Sequence, residues 1–242
     1  VGARRFFVQG ERGIGDWITI DGADAHKIAS VLRLRVGDAL EIVDSASQLF
    51  DARLDRVDDA VVASLVAKRE VEHMPRVAID VAQGIPKGAK MDFVVEKLTE
   101  LGVSSIVPLE SERTVVRDVS GPKLQRWQRI AQAAAQQCAR TSIPEIAAPV
   151  TLLALTQRFP LYDLVLLPWE AADHTPLRET LPQLALGKKR ILILIGPEGG
   201  FSHGEADAAV AAGAHAISLG KRILRTETAA LVVLSVLNYI VQ

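Results

Sequence analysis

Cysteine is nearly absent from this sequence: Cys138 is the only one in 242 residues. One thiol cannot form an internal disulfide, so a reducing compartment is expected, taken here as the cytoplasm. Cys138 itself reads as a small buried residue. Long apolar runs are missing too. A membrane span needs ~18 consecutive apolar residues, and AALVVLSVLNYIVQ at 229–242 falls short of that. The opening VGARRFFVQG lacks the apolar core of a signal peptide, although its first residue is Val1 rather than Met. No membrane association and no metal site are expected. Neither sign of charge is in excess, with 28 Lys and Arg against 29 Asp and Glu. Overall charge therefore does not announce a nucleic-acid partner, and only local clusters of Arg and Lys could do so. Internal repeats and low-complexity stretches are absent as well.

What is present is apolar substance. At 49% hydrophobic residues the chain can bury a sizeable core, as one large domain or two small ones. The first seventy residues read as short strands, RRFFV, WITI, ALEIVD, LFDARLDRV and AVVASLVAKREV, with turn signals between them. One helix, DAHKIASVLRL, interrupts them, with Ile28, Val31, Leu32 and Leu34 at helical spacing. This pattern indicates a small β-barrel over 1–72. A boundary is placed near EHMPR, and 73–242 changes rhythm. Strands VAIDVAQG, SSIVPL, LYDLVLLP, RILILIG and AHAISLG alternate with helices, as in an α/β domain with a mainly parallel sheet. In the helix KMDFVVEKLTELG, Phe93, Val94, Leu98 and Leu101 are expected on one side, with Gly102 as the stop. GPKLQRWQRIAQAAAQQCAR is a long helix. SHGEADAAVAAG carries a capping box of Ser202 and Glu205. The helix from Thr226 is apolar nearly all round, so it is either deeply buried or paired with another chain.

Ligands of open α/β sheets sit beyond the C-terminal ends of the strands. Three loops take that position: LPWE (167–170), GPEGGF (196–201) and SLGKRILRTETA (218–229). The glycines of the second do not have dinucleotide spacing, and GIPKGAK lacks the length and the Ser/Thr of a Walker loop. Glu198 stands where an anion would have to approach. A ligand at this turn is therefore neutral or cationic, or else the turn only lets strand meet helix. In the third loop Gly220 permits a close backbone approach. Ile223 and Leu224 are placed to cover a flat apolar group among Lys221, Arg222 and Arg225. Glu227 falls in the first turn of the last helix, where a carboxylate is favoured in any case.

IGPEGGFSHGE followed by SLGKRILRTETAAL resembles the RsmE family of SPOUT methyltransferases, which methylate N3 of a uridine in small-subunit ribosomal RNA. RRFFV, HKIASVLRLRVGD, KMDFVVEKLTELGVSSIVPLESERTVV and RWQRIAQAAAQQCARTSIPEI are similar to further segments of that family, in order, over most of the chain. The resemblance implies a PUA-like, RNA-binding barrel followed by an α/β SPOUT domain whose C-terminal segment forms a trefoil knot. It implies S-adenosylmethionine as cofactor, a homodimer, and ribosomal RNA or the small subunit as partner. The cofactor residues it implies are Leu167, Pro168, Gly196, Pro197, Glu198, Gly199, Gly200, Ser218, Leu219, Gly220, Ile223, Leu224, Arg225, Glu227, Thr228 and Ala229. The sequence departs from the family at Ala133 and Gln136, where carboxylates are frequent, while Gln137 and Arg140 match.

For the chemistry, Arg225 is a candidate to stabilise charge on a deprotonated uracil; alternatively it orders its loop or meets phosphate. Glu198, Glu227 and His203 lie in or near the right loops for a general base, and none stands out. Arg4, Arg5, Lys27, Arg33 and Arg35 in the first half, and Lys87, Lys90, Arg113 and Arg117 in the second, are the candidate RNA contacts. Trp127 reads as a core or dimer-interface residue before a base-stacking one. A SPOUT enzyme acting on ribose or another base, a non-catalytic RNA-binding protein, and a generic nucleotide-binding protein are the alternatives.

Overall fold

The computed structural model of the chain describes residues 4–58, 60–70, 77–115, 119–172 and 177–241. The expected domain division falls on 71–76, which lie outside the described residues, as does Arg117. The chain separates into two compact units, Val1–Met74 with Gln132–Ile143, and Pro75–Ala131 with Pro144–Gln242.

The first unit is a five-stranded sheet curled on one core. Its strands are β1 (Arg5–Phe7), β2 (Trp17–Ile20), β3 (Ala39–Val43), β4 (Leu49–Val57) and β5 (Val61–Arg69), in the order β1-β3-β4-β5-β2. Only β1 and β3 pair in parallel. Alternation decides the inner face: Ile18, Ile20, Leu40, Ile42, Leu54, Val61, Ala63 and Leu65 are buried around Phe6 and Phe50. The expected helix is shorter than its pattern. Helix α1 (Gly22–His26) passes into a π turn over Lys27–Val31, with Leu32 N–H bonded to the Lys27 carbonyl at 2.8 Å. A π turn is wider than an α turn, so the helical register is lost after Ile28. Ile28 is buried, but Val31, expected on the apolar face, is 66% exposed.

The second unit is a parallel sheet with helices. Strands β6 (Ala78–Gly84), β7 (Ser105–Glu110), β8 (Glu145–Ile146), β10 (Leu164–Pro168), β11 (Arg190–Ile195) and β12 (His215–Ile217) lie in the order β12-β10-β11-β6-β7-β8, and β9 (Val150–Thr151) also pairs with β7. The helices are α2 (Lys90–Glu100), α3 (Gly121–Gln137, of which the residues from Gln132 on belong to the first unit), α4 (Leu152–Thr156), α5 (Leu177–Ala185), α6 (His203–Ala211) and α7 (Thr226–Val241). Both sheet faces are covered, which is why β10 and β11 read as unbroken apolar runs. One core holds α2, α7 and Trp127 of α3, and the other holds α4, Phe201 and α6. Trp127 is a core residue, 1% exposed. In α2 the buried residues are Met91, Val94, Val95, Leu98 and Thr99, whereas Phe93, expected inside, is 45% exposed. Ser202 caps α6 reciprocally with Glu205, as its sequence predicts. Cys138 is only partly buried.

Candidate functional site

Every strand pairing of the second sheet is parallel, so the C-terminal ends of β6, β10, β11 and β12 gather along one edge. Two adjoining cavities open there. The larger, about 600 Å³, is lined by Lys90, Pro168, Glu170, Ile195, residues 196–201, Ile223–Thr226 and Ala229. The smaller, about 290 Å³, is lined by residues 168–170, 218–224 and Ala229. Pro168, Glu170, Ile223, Leu224 and Ala229 belong to both. The three loops singled out in the sequence thus meet in one place.

Among the expected cofactor residues, Pro168, Gly196, Pro197, Glu198, Gly199, Gly200, Ser218, Leu219, Gly220, Ile223, Leu224, Arg225 and Ala229 line one cavity or the other. Leu167 does not. Strand alternation turns it into the core, where it is fully buried. Glu227 and Thr228 are not lining residues either. One Glu227 carboxylate oxygen is buried with no hydrogen-bond partner among the described residues. Ile195 lines the larger cavity from outside the three loops, and Glu170, Phe201 and Thr226 line it from within them, although they were not among the implied cofactor residues. Glu170 ends the LPWE loop, so the signal for it was two residues beyond the pair chosen.

The turn after β11 needs its glycines for different reasons. Gly200 has φ +66°, and its N–H closes the turn on the Pro197 carbonyl at 2.9 Å. A Cβ there would stand 3.2 Å from a Glu170 carboxylate oxygen. Gly84, the last residue of β6, packs so closely that a Cβ would lie 2.3 Å from the Pro197 nitrogen.

Glu198 supports the site. Its Oε1 accepts from the Lys87 backbone N–H and from Lys90 Nζ, both at 3.0 Å. Partial burial pushes its pKa up. The hydrogen bonds from Lys90 and the Lys87 amide, with the nearby ammonium charge, outweigh this and hold it below the ordinary glutamate value. A carboxylate so held is a weaker proton acceptor. Arg113 braces the same turn, donating to the Gly199 carbonyl at 2.7 Å. His203 starts α6, exposed, with its ring edge-on to Trp169 at 5.2 Å. Arg225 is exposed at the rim, and Ile223 beside it is 92% exposed.

The basic candidates divide. Lys90 and Arg113 are occupied at the turn, and the Lys87 side chain is exposed. In the first unit Arg5 is not a surface cation. It is 7% exposed, paired with Glu41 at 2.8 Å, and bonded to the Ala139 carbonyl. Its place in the RFF strand, beside Glu41 of β3, directs it into that pair. Lys27 Nζ donates to Gln136 Oε1 at 2.9 Å, and the Gln136 amide donates to both Asp24 oxygens at 3.0 and 3.1 Å. Gln136, one of the positions where a carboxylate is frequent, is therefore a buried link between a cation and an anion. Arg4 is half-buried, reaching the Ala39 carbonyl at 3.5 Å, while Arg33 and Arg35 are exposed. Among the described residues there is no group of three or more His, Cys, Asp or Glu that could hold a metal. Among the described residues, no helix is long and apolar enough to cross a membrane.

The RNA methyltransferase domain family matches residues 73–238. Ribosomal RNA small subunit methyltransferase E of Synechocystis is 31% identical over 99% of this chain and 78% of its own length. The chain belongs to this family. The Bacillus subtilis member is 31% identical over 91% of this chain and 89% of its own length. Solved structures agree with the fold. Ribosomal RNA small subunit methyltransferase E of Neisseria gonorrhoeae bound to S-adenosyl methionine has a TM-score of 0.87 at 28% identity, covering 98% of this chain and 97% of that one. A putative methyltransferase of Legionella pneumophila in complex with the same cofactor has a TM-score of 0.86 at 32% identity, covering 99% and 98%.

Proposed function

We propose that this chain is an S-adenosylmethionine-dependent ribosomal RNA methyltransferase that acts on N3 of a uridine in small-subunit RNA. The observation that carries the reading is the pair of adjoining cavities at the C-terminal strand ends, in a chain whose relatives include two structures holding that cofactor. The residues fit such a group. The walls are backbone and glycine, Ile223 and Leu224 offer apolar cover, and Glu170 and Glu198 are the carboxylates. Lys90, Lys221, Arg222 and Arg225 line the cavities as well, so the fit rests on the glycine turn itself, where Glu198 suits a cationic ligand with a flat base better than an anion. The loops 168–170, 196–200 and 218–229 would hold the cofactor, with the segment from Ser218 onward forming the knot. When bound, the cofactor supplies an electrophilic methyl group.

The protein's own part is positioning and charge. Holding an acceptor in line with a donor removes much of the entropic barrier. Uracil N3–H must lose its proton, and the charge spreads to O2 and O4. Arg225, on the rim of the larger cavity, can donate to an oxygen there. Glu198 is disfavoured as base because its Oε1 is engaged and its pKa depressed. RNA would lie on exposed cations such as Arg33, Arg35 and Lys87, and a second copy would cover the face of α7 that leaves Tyr239 91% exposed. The cytoplasm is the setting such a substrate requires.

The test is incubation with methyl-labelled cofactor and unmodified small-subunit RNA or particles, followed by nucleoside analysis. Label in N3-methyluridine is the expected result. Label on ribose or another base would move the assignment within the fold, and saturable RNA binding with no cofactor binding would make the chain a non-catalytic RNA-binding protein.

A further inference from the structure

Beneath the glycine turn lies a polar relay with no part in the chemistry above. Gln83, in β6, pairs in register with Ile195 and is completely buried. Its Nε2 donates to the Gly84 carbonyl at 3.0 Å and to Thr226 Oγ1 at 2.8 Å. The Thr226 hydroxyl, 5% exposed, donates in turn to the Gly196 carbonyl at 2.5 Å. A hydroxyl has one proton to give. If it goes to Gly196, Thr226 must accept from Gln83, and the direction of the whole chain is set. A flipped amide would also press its oxygen against the Gly84 carbonyl.

That orientation has a cost that can be seen. Gln83 Oε1 is buried with no hydrogen-bond partner among the described residues. A leucine of similar size would fill the space without an orphaned acceptor. The amide is therefore present for its donor. What the donor secures is a joint between three segments far apart in sequence: the end of β6, the turn after β11, and the first residue of α7. Gly84 closes the same joint sterically, through its contact with Pro197. The Gly196–Pro197 peptide is thus held from both sides, and residues 196–200 form one wall of the larger cavity.

We propose that Gln83 and Thr226 are positioning residues, which act through the Gly196 carbonyl to hold this wall in the geometry that cofactor binding requires. The proposal rests on reading the cavity as the cofactor site. It is tested in the full chain by calorimetric titration with S-adenosylmethionine, together with KM, kcat and thermal unfolding. Thr226→Val and Gln83→Leu should each weaken cofactor affinity about tenfold, with kcat at saturation falling less than KM rises. Gln83→Leu removes the orphaned acceptor but also takes the donor from the Gly84 carbonyl and the Thr226 oxygen, so its unfolding temperature should fall and affinity is compared well below it. Thr226→Ser should restore affinity. The double variant should bind no worse than Thr226→Val, since the relay acts as one unit.

Wild-type affinity in both single variants would overturn the proposal, as would additive losses or failure of serine to rescue. A fall in kcat with affinity unchanged would also overturn it, by making Thr226 a catalytic group. If Gln83→Leu does not fold, the Val and Ser variants at 226 decide alone. Failure of the cofactor reading is seen separately, as absence of saturable binding by the unaltered chain, and it removes the relay's proposed purpose as well.

Discussion

The Glu198 carboxylate and the Lys90 ammonium stand 3.0 Å apart, joining the glycine turn to the first residue of α2. The same oxygen holds the Lys87 amide. The one acid in the turn is thus a latch on the loop after β6. A latch of this kind depends on pH in a defined sense. The Glu198 pKa is lowered in the folded chain, so its contribution is fully present above the unfolded glutamate value of ~4.3 and is lost as pH falls through the lower folded value. Glu198→Gln keeps the shape and removes the charge. The variant should unfold at a lower temperature than the parent at pH 7, and the two should converge as pH drops below 4. A difference that does not shrink in acid would show that the charge is not what Glu198 contributes.

Gly84→Ala tests the joint from the other side. The added Cβ would meet Pro197 backbone at 2.3 Å, closer than any relaxation of a side chain can relieve. Either β6 or the glycine turn must move. Overpacking of this sort costs ~1–3 kcal/mol, and here the movement falls on the cavity wall. Denaturant unfolding should show a loss in that range, accompanied by weakened S-adenosylmethionine binding. Parent-like binding at reduced stability would mean that the strand yields and the turn does not.

The sequence made the site easier to read than the core. Its loops are built from Gly, Pro and a few charges, and such residues mark strand ends without knowledge of the fold. Alternation in β2 to β5 and the apolar runs of β10 and β11 likewise reveal which faces are covered. Partners across long sequence separations stayed hidden: nothing local says that Glu198 meets Lys90, or that Gln83 meets Thr226. The π turn over Lys27–Val31 broke a correct helical period, and so misplaced Val31. Helix α5 went unread because Pro182 stands inside it. Charge was the poorest guide. Arg5 and Arg33 look alike in sequence, yet one is sealed against Glu41 while the other is in water.

Gln136 gives a prediction about the first unit. It is 2% exposed and bonds Asp24 and Lys27 at once. Gln136→Ala would leave both charges without that partner. Loss of a buried hydrogen-bonding link costs ~1–3 kcal/mol, so urea unfolding should register a fall of this size. Gln136→Glu keeps an acceptor for Lys27 but sets a second carboxylate against Asp24. It should therefore be more stable in combination with Asp24→Asn than alone, and an additive outcome would show that the two side chains do not interact.

Arg33 and Arg35 test where RNA is held. Both are exposed, unlike Arg5, and the glycine turn does not occupy them as it does Lys90 and Arg113. A cation that contacts phosphate releases counterions, so binding weakens with salt by a slope that grows with each contact, ~0.7 per phosphate on single strands. Replacing both arginines with alanine should weaken RNA binding at low salt and lower the slope of log K against log salt by about 1.4 if each meets one phosphate. Cofactor affinity should not change, because neither residue lines the cavities. Arg5→Ala should behave differently: it opens the Glu41 pair and lowers stability, with the salt slope unaltered. If the Arg33 and Arg35 variant keeps the parent slope, RNA does not lie on this loop, and the exposed Lys87 side chain becomes the next place to look.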